Sequence, residues 1–267
     1  MAQRIEKTFE LLRSRKQAAM IAYICAGDPH LAATEAIALS LEKAGVDLLE
    51  IGLPFSDPLA DGIVNQLAAA RALQSGATTA KVLECIRSIR TRSQMPIVLY
   101  TYMNPIYRYG FDAFLRDAEA AGVDGLLILD LPPDEAQSNP DFQTDSPLRS
   151  IRLIAPTTPE HRLPLITSGA SGFLYYVSRE GVTGERTDVA ESLPEKVAAI
   201  RKHTHLPIAV GFGISSPEQV RTVAAVGDAV VVGSAIVKRI AEWGAAPDLA
   251  ERIGEFVRPL AAATKQA

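Results

Sequence analysis

Eight short apolar runs, each followed by a stretch with helical spacing, constrain this chain more than any other feature. The runs are Met20–Cys25, Asp47–Ile51, Pro96–Tyr100, Gly125–Leu129, Ile151–Ala155, Gly172–Val177, Leu206–Val210 and Asp228–Val232. Most are bounded by Gly, Pro or Asp, which is how strands between turns read. They are apolar throughout, as expected of parallel strands covered on both faces. The intervening stretches carry helix signals. Asp28 and Pro29 read as the cap and first residue of a helix to about Ala44, Phe111–Ala121 stops at Gly122, and Ser216–Pro217 opens another. Strict alternation implies a parallel sheet, and eight units in 267 residues imply a closed (β/α)8 barrel of the TIM type. A doubly wound open sheet is the alternative, but no G-x-G-x-x-G opens the first helix. No linker is visible, so residues 1–267 read as a single barrel domain.

Two segments lie outside the repeat. Ile5, Phe9 and Leu12 recur at helical spacing, which predicts an extra amphipathic N-terminal helix packed on the barrel. Gln137–Ser150 contains Pro140 and Pro147 and reads as an irregular connection with at most a short helix. Tyr102–Pro105 reads as a turn.

Composition excludes several function classes. A net charge of −4 carries no nucleic-acid footprint. No apolar run is long enough to span a bilayer. Two cysteines, Cys25 and Cys85, make no disulfide framework, and a reducing, cytoplasmic setting fits them.

Barrels of this kind place their chemistry at the C-terminal strand ends. Glu50 interrupts the second apolar run, where a carboxylate is costly to bury. It reads either as a structural carboxylate paired inside the barrel or as a general acid/base tuned by a half-apolar site. Asp61, on the loop that follows, reads either as a turn residue or as a second functional acid. Asp28, Asp57 and Asp130 stand at similar loop starts and are as fit to brace a loop as to touch substrate. Gly184, Gly211–Phe212–Gly213 and Gly233–Ser234 follow strands six, seven and eight. Glycines there let backbone N–H groups approach an anion, and helix N-termini add positive partial charge, so they read as a phosphate site. Tyr23, Tyr102 and Tyr175 near strand ends read as core or pocket wall. No lysine stands at a C-terminal strand end, which disfavours a Schiff base. No histidine pair at that end offers a metal site. Cys25 reads as a buried free thiol.

The motifs together resemble the tryptophan synthase alpha subunit family. They are AGDP (Ala26–Pro29), the acid-bearing run Glu50–Gly62, Tyr102 and Asn104, APTTP (Ala155–Pro159), SREGVTG (Ser178–Gly184), GFGIS (Gly211–Ser215) and GSAIV (Gly233–Val237). The resemblance implies a (β/α)8 barrel that splits indole-3-glycerol phosphate into indole and glyceraldehyde 3-phosphate, with no cofactor in this chain. It implies Glu50 as general acid/base, Asp61 at the indole N–H, and Tyr23, Tyr102 and Tyr175 around the substrate. It places Gly184, Gly213, Gly233 and Ser234 at the phosphate. Arg179–Gly184 would be a lid whose Thr183 links closure to Asp61. The family works as an αββα assembly, so a β subunit holding pyridoxal phosphate is the implied partner. Turns at Pro54–Asp57, Tyr102–Pro105 and Leu131–Pro133 would form the docking face. Ile63 stands where the family usually has proline, Asn65 where it often has an apolar residue, and Cys25 replaces a common threonine. Another phosphate-sugar barrel, such as an isomerase or indole-glycerol-phosphate synthase, and a non-catalytic docking subunit are the competing readings.

Overall fold

A computed structural model describes residues 3–138, 146–177, 188–211 and 213–266. Eight parallel strands close in chain order: β1 (Ala19–Cys25), β2 (Leu48–Gly52), β3 (Ile97–Thr101), β4 (Gly125–Ile128), β5 (Arg149–Ile154), β6 (Leu174–Val177), β7 (Ile208–Gly211) and β8 (Ala229–Val232). Pairing of Ala19–Ala22 with Ala229–Val232 shuts β1 on β8. The helices are α1 (Arg4–Ser14), α2 (Leu31–Lys43), α3 (Ile63–Gln74), α4 (Thr79–Arg90), α5 (Met103–Tyr109), α6 (Phe111–Ala121), α7 (Pro133–Ser138), α8 (Leu163–Ser168), α9 (Asp188–Arg201), α10 (Pro217–Ala224), α11 (Ser234–Trp243) and α12 (Leu249–Ala263). Among the described residues no helix is long and apolar enough to cross a membrane.

The two-residue period of a strand sorts its side chains between two cores. Ile21, Leu48, Val98, Leu127, Ile151, Phe173, Ala209 and Val231 fill the barrel interior. Their neighbours of opposite parity, including Met20, Leu49, Ile97, Leu126, Ile208 and Val230, pack outward under the helices. Except on β5, where Arg149, Ser150 and Arg152 are partly or fully exposed, both faces are dry, which is why the strands show little polar alternation. Each such Leu or Ile contributes about 1.5–3 kcal/mol by leaving water.

The N-terminal helix α1 closes one end of the barrel. Ile5, Phe9 and Leu12 join the interior cluster, and the Phe9 and Phe173 rings sit 5.8 Å apart. A buried ionic clasp fixes the same end. Asp124, 2% exposed, accepts from Arg4 Nη1 (2.9 Å), Arg90 Nη2 (2.7 Å) and the Ile97 N–H (2.8 Å). It thereby ties α1 and α4 to the start of β3.

The structure departs from the sequence reading in three places. Asp28 does not cap α2. His30 does, its Nδ1 accepting from the Ala33 N–H, because both Asp28 oxygens are taken by Arg71 at 2.8 Å. Tyr102–Pro105 is the start of helix α5 and not a turn; Asp130 accepts the Met103 N–H at 2.7 Å, and a proline in a first helical turn removes no internal hydrogen bond. Strand β5 begins at Arg149, two residues earlier than its apolar run, since pairing with β4 continues through polar residues. Within the irregular stretch, α7 ends at Ser138; 139–145 lie outside the described residues.

Candidate active site

The open, C-terminal end of the barrel holds a cavity of about 760 Å³, lined among others by Asp61, Asn65, Tyr100, Leu129, Leu153 and Tyr175. That size suits a drug-sized ligand. Leu129 and Leu153 together with the polar groups of Asp61 and Asn65 in one lining suit a planar apolar ring carrying a polar edge. Tyr100, Leu129, Leu153 and Tyr175 sit directly on the interior cluster, so the barrel core is the cavity floor.

Glu50 points into the barrel from β2, paired in register with Tyr23 on β1 and Val98 on β3. It is 1% exposed, and its Oε1 has no hydrogen-bond partner. Burial alone pushes its carboxyl up to about 8. A structural carboxylate inside a barrel would be expected to have its oxygens paired. An orphaned oxygen costs about 1–3 kcal/mol, a cost that fold stability does not explain. Glu50 and Asp61 both act electrostatically on Tyr23 and on Tyr175, which places the two acids around the same tyrosines.

Asp61 lies on the loop between β2 and α3 and is held from outside. Its Oδ1 accepts from Tyr100 Oη (2.9 Å) and Asn65 Nδ2 (3.3 Å), and its Oδ2 from Tyr102 Oη (2.8 Å). Tyr102 Oη also accepts the Ala60 N–H at 3.1 Å. Gln66 Nε2 donates to the Asp61 carbonyl at 2.8 Å. The Asn65 amide turns its Nδ2 to the carboxylate and leaves Oδ1 buried and unpartnered. Asn65 and Gln66, on the first turn of α3, thus fix this loop.

Two glycines make room for two tyrosines by the same device. A Cβ on Gly52 would stand 2.3 Å from Tyr23 Oη, and one on Gly211 would stand 2.6 Å from Tyr175 Oη. Each tyrosine lies two residues before the strand partner of its glycine. Tyr23 is 5% exposed, its ring set edge-on to Tyr100 at 4.9 Å. It braces the cavity from behind, as Ala68, Ala69 and Ala72 bring α3 down onto it. Tyr102, 4% exposed, reaches the cavity through Asp61.

The loops after β7 and β8 are adjacent because the strands are. Gly213 has a φ of +64° with open space where a Cβ would point. Gly233 is the N-cap residue of α11 and Ser234 its first residue, and no side chain caps that helix. Helix α10, by contrast, is closed by a capping box between Ser216 and Gln219. Of these two neighbours, α11 is the one whose first-turn donors have no cap of their own. Thr183, Gly184, the rest of Ser178–Gly184, and Phe212 lie outside the described residues.

Among the described residues no group of three or more His, Cys, Asp or Glu could hold a metal ion. Cys25 is buried, and burial pushes its thiol well above the usual range. The signal for Tyr100, which sequence reasoning passed over as a strand residue, was its parity with Val98: both face inward.

A closed parallel barrel with a buried carboxyl in its wall and a braced carboxylate at its open end belongs with the (β/α)8 enzymes. Comparison with known proteins narrows the class. The family model described as tryptophan synthase alpha chain matches residues 9–265. The chain is 51% identical over 264 residues to the tryptophan synthase alpha chain of Opitutus terrae, covering 98% of this chain and 99% of that one. It is 47% identical over 262 residues to that of Geotalea uraniireducens, covering 98% of each. Among solved structures, the alpha subunit from Legionella pneumophila superposes with a TM-score of 0.87 at 37% identity over 99% of both chains. A Mycobacterium tuberculosis tryptophan synthase chain does so with 0.88 at 35%, again over 99% of both. The chain belongs to the tryptophan synthase alpha chain family.

Proposed function

We propose that this chain, as one barrel domain, is the lyase subunit that cleaves indole-3-glycerol phosphate into indole and glyceraldehyde 3-phosphate, with Glu50 and Asp61 as its catalytic pair. The observation that carries the assignment of roles is the contrast between the two acids: one buried with an unpartnered oxygen, the other held by neutral donors at the cavity wall.

Glu50, holding its proton at neutral pH, gives it to indole C3 and takes one back from the glycerol hydroxyl adjacent to the scissile bond. The C3–H bond and the aldehyde C=O form as the C3–carbon and O–H bonds break, so one residue serves both legs and ends as it began. Protonation at C3 places positive charge on the ring nitrogen. Asp61 accepts the N–H there and stabilises charge that exists only as the reaction proceeds. The ring is its own electron sink, so no step calls on a metal or a Schiff base. Gly213, Gly233, Ser234 and Gly184 hold the phosphate, the uncapped end of α11 supplying donors. Tyr175 forms part of the ring pocket, Tyr23 and Tyr102 support it, and Thr183 links the lid to Asp61. A synthase closing the indole ring would want a lysine at a strand end, and a merely docking subunit has no use for an unpartnered buried acid.

The partner is a β subunit, in which pyridoxal phosphate is expected, with the assembly in the cytoplasm. Its docking face would combine the turns at Pro54–Asp57, Tyr102–Pro105 and Leu131–Pro133. Their proximity supports this: the Phe55 and Tyr102 rings lie 5.4 Å apart, and Asp130 holds the Met103 N–H. The test is indole release from indole-3-glycerol phosphate by the complex with its β subunit. Glu50→Gln should lower kcat by about 10²–10⁴-fold, the scale of general acid–base catalysis, with Asp61→Asn also severely impaired. Wild-type turnover in both variants would overturn the role assignment, and no indole from the natural complex would overturn the lyase reading.

A further inference from the structure

We propose that Tyr100 and Asn65 are positioning residues for the cleavage reaction, clamping Oδ1 of Asp61 so that this carboxylate meets the indole N–H already oriented and still carrying its full charge. The inference rests on the role of Asp61 given above.

Asp61 stands on a loop, and a loop carboxylate has no element of its own to fix its rotamer. Here three donors from two elements fix it. Tyr100 comes from β3, inside the barrel wall, and Tyr102 from the residue after that strand. Asn65 comes from α3, so the clamp spans the loop from both sides. Tyr100 is itself held by a T-shaped contact between its ring and that of Tyr23. A carboxylate offers about four lone-pair positions. Three are filled, and one remains for a donor on the substrate.

The chemical type of the donors matters as much as their number. Two phenols and an amide orient the carboxylate without cancelling its charge, as an arginine or lysine would. Burial, followed by the nearby Asp61 charge, drives the Tyr100 hydroxyl well above its ordinary range. The proton therefore stays on Tyr100, which acts as a donor. Asp61 keeps a negative charge to set against the cation that forms on the ring nitrogen, and it need not reorganise when that cation forms.

The experiment uses the complex with its β subunit and two inert ligands: an indole-3-alkyl phosphate and its benzofuran counterpart, in which ring oxygen replaces N–H. The wild type should prefer the N–H ligand by about tenfold or more, since a site built around one donor rejects the analogue lacking it. Tyr100→Phe removes only the hydroxyl. It should cut that preference at least about threefold and lower kcat more than it raises KM. Tyr100→Phe with Asn65→Leu should bring the preference close to that of Asp61→Asn. In the Asp61→Asn background neither substitution should change it further, because they act through Asp61. If Tyr100→Phe does not fold, Asn65→Leu carries the same comparison from a different element. An unchanged preference in the folded variants, or an equal loss with and without Asp61, overturns the inference. A wild type that does not distinguish the two ligands removes the role of Asp61 itself, and this inference with it.

Discussion

Glu50 is a carboxylic acid that folding makes hard to ionise, and stability should register this. Its carboxyl lies near 8 in the folded chain against an ordinary value of 4.5. Below about pH 4.5 both folded and unfolded chains hold the proton, and the residue's effect is neutral. As pH rises from there to about 8 the unfolded chain releases the proton and the folded chain keeps it, so stability falls. Above about 8 the penalty is complete, on the order of several kcal/mol. Glu50→Gln should therefore match the wild type in urea unfolding near pH 4.5 and exceed it increasingly towards pH 8.5. A constant difference across that range would mean the carboxyl is not perturbed. At this scale the two acids were legible because they are chemically conspicuous: one interrupts an apolar run, the other sits in a loop dense with Gly and Pro. Tyr100 was less visible. A tyrosine closing an apolar run looks like core, and only the parity of β3 turns it toward Asp61.

At the scale of elements, strands were legible as apolar runs and helices by their caps, while junctions were not. Asp28 had the chemistry of a helix cap, but Arg71, forty-three residues away in sequence, claims both its oxygens. Helix α5 looked like a turn because Asn104 and Pro105 are turn residues, and its anchor, Asp130, comes from the end of the next strand. The tyrosine–glycine pairs are likewise invisible without register. They make a direct prediction. Gly52→Ala would place a methyl group 2.3 Å from Tyr23 Oη and 2.8 Å from its Cζ, so the ring must move. The variant should lose about 1–3 kcal/mol by overpacking. Tyr23→Leu in the same chain should restore most of that loss in a thermal unfolding comparison, and Tyr23→Phe should not, since the ring carbons remain too close.

For the molecule as a whole, the sequence showed both the eight-fold repeat and the helix that precedes it, but not where that helix docks. Ile5, Phe9 and Leu12 named a buried face; the position beneath Phe173 follows only from barrel closure. Phe9→Ala should cost about 3–5 kcal/mol, the usual range for emptying a buried aromatic site. It should leave ligand affinity at the far end within about twofold, as measured by titration with the inert indole phosphate. Loss of binding in a folded Phe9→Ala chain would show that the two ends are coupled. The helix also makes the barrel a vessel with a floor. Among the described residues, Phe9 and Phe173 fill the end of the barrel below Glu50, so a ring held above that acid faces the C-terminal end. Whatever surface covers that end then decides whether such a ring meets water.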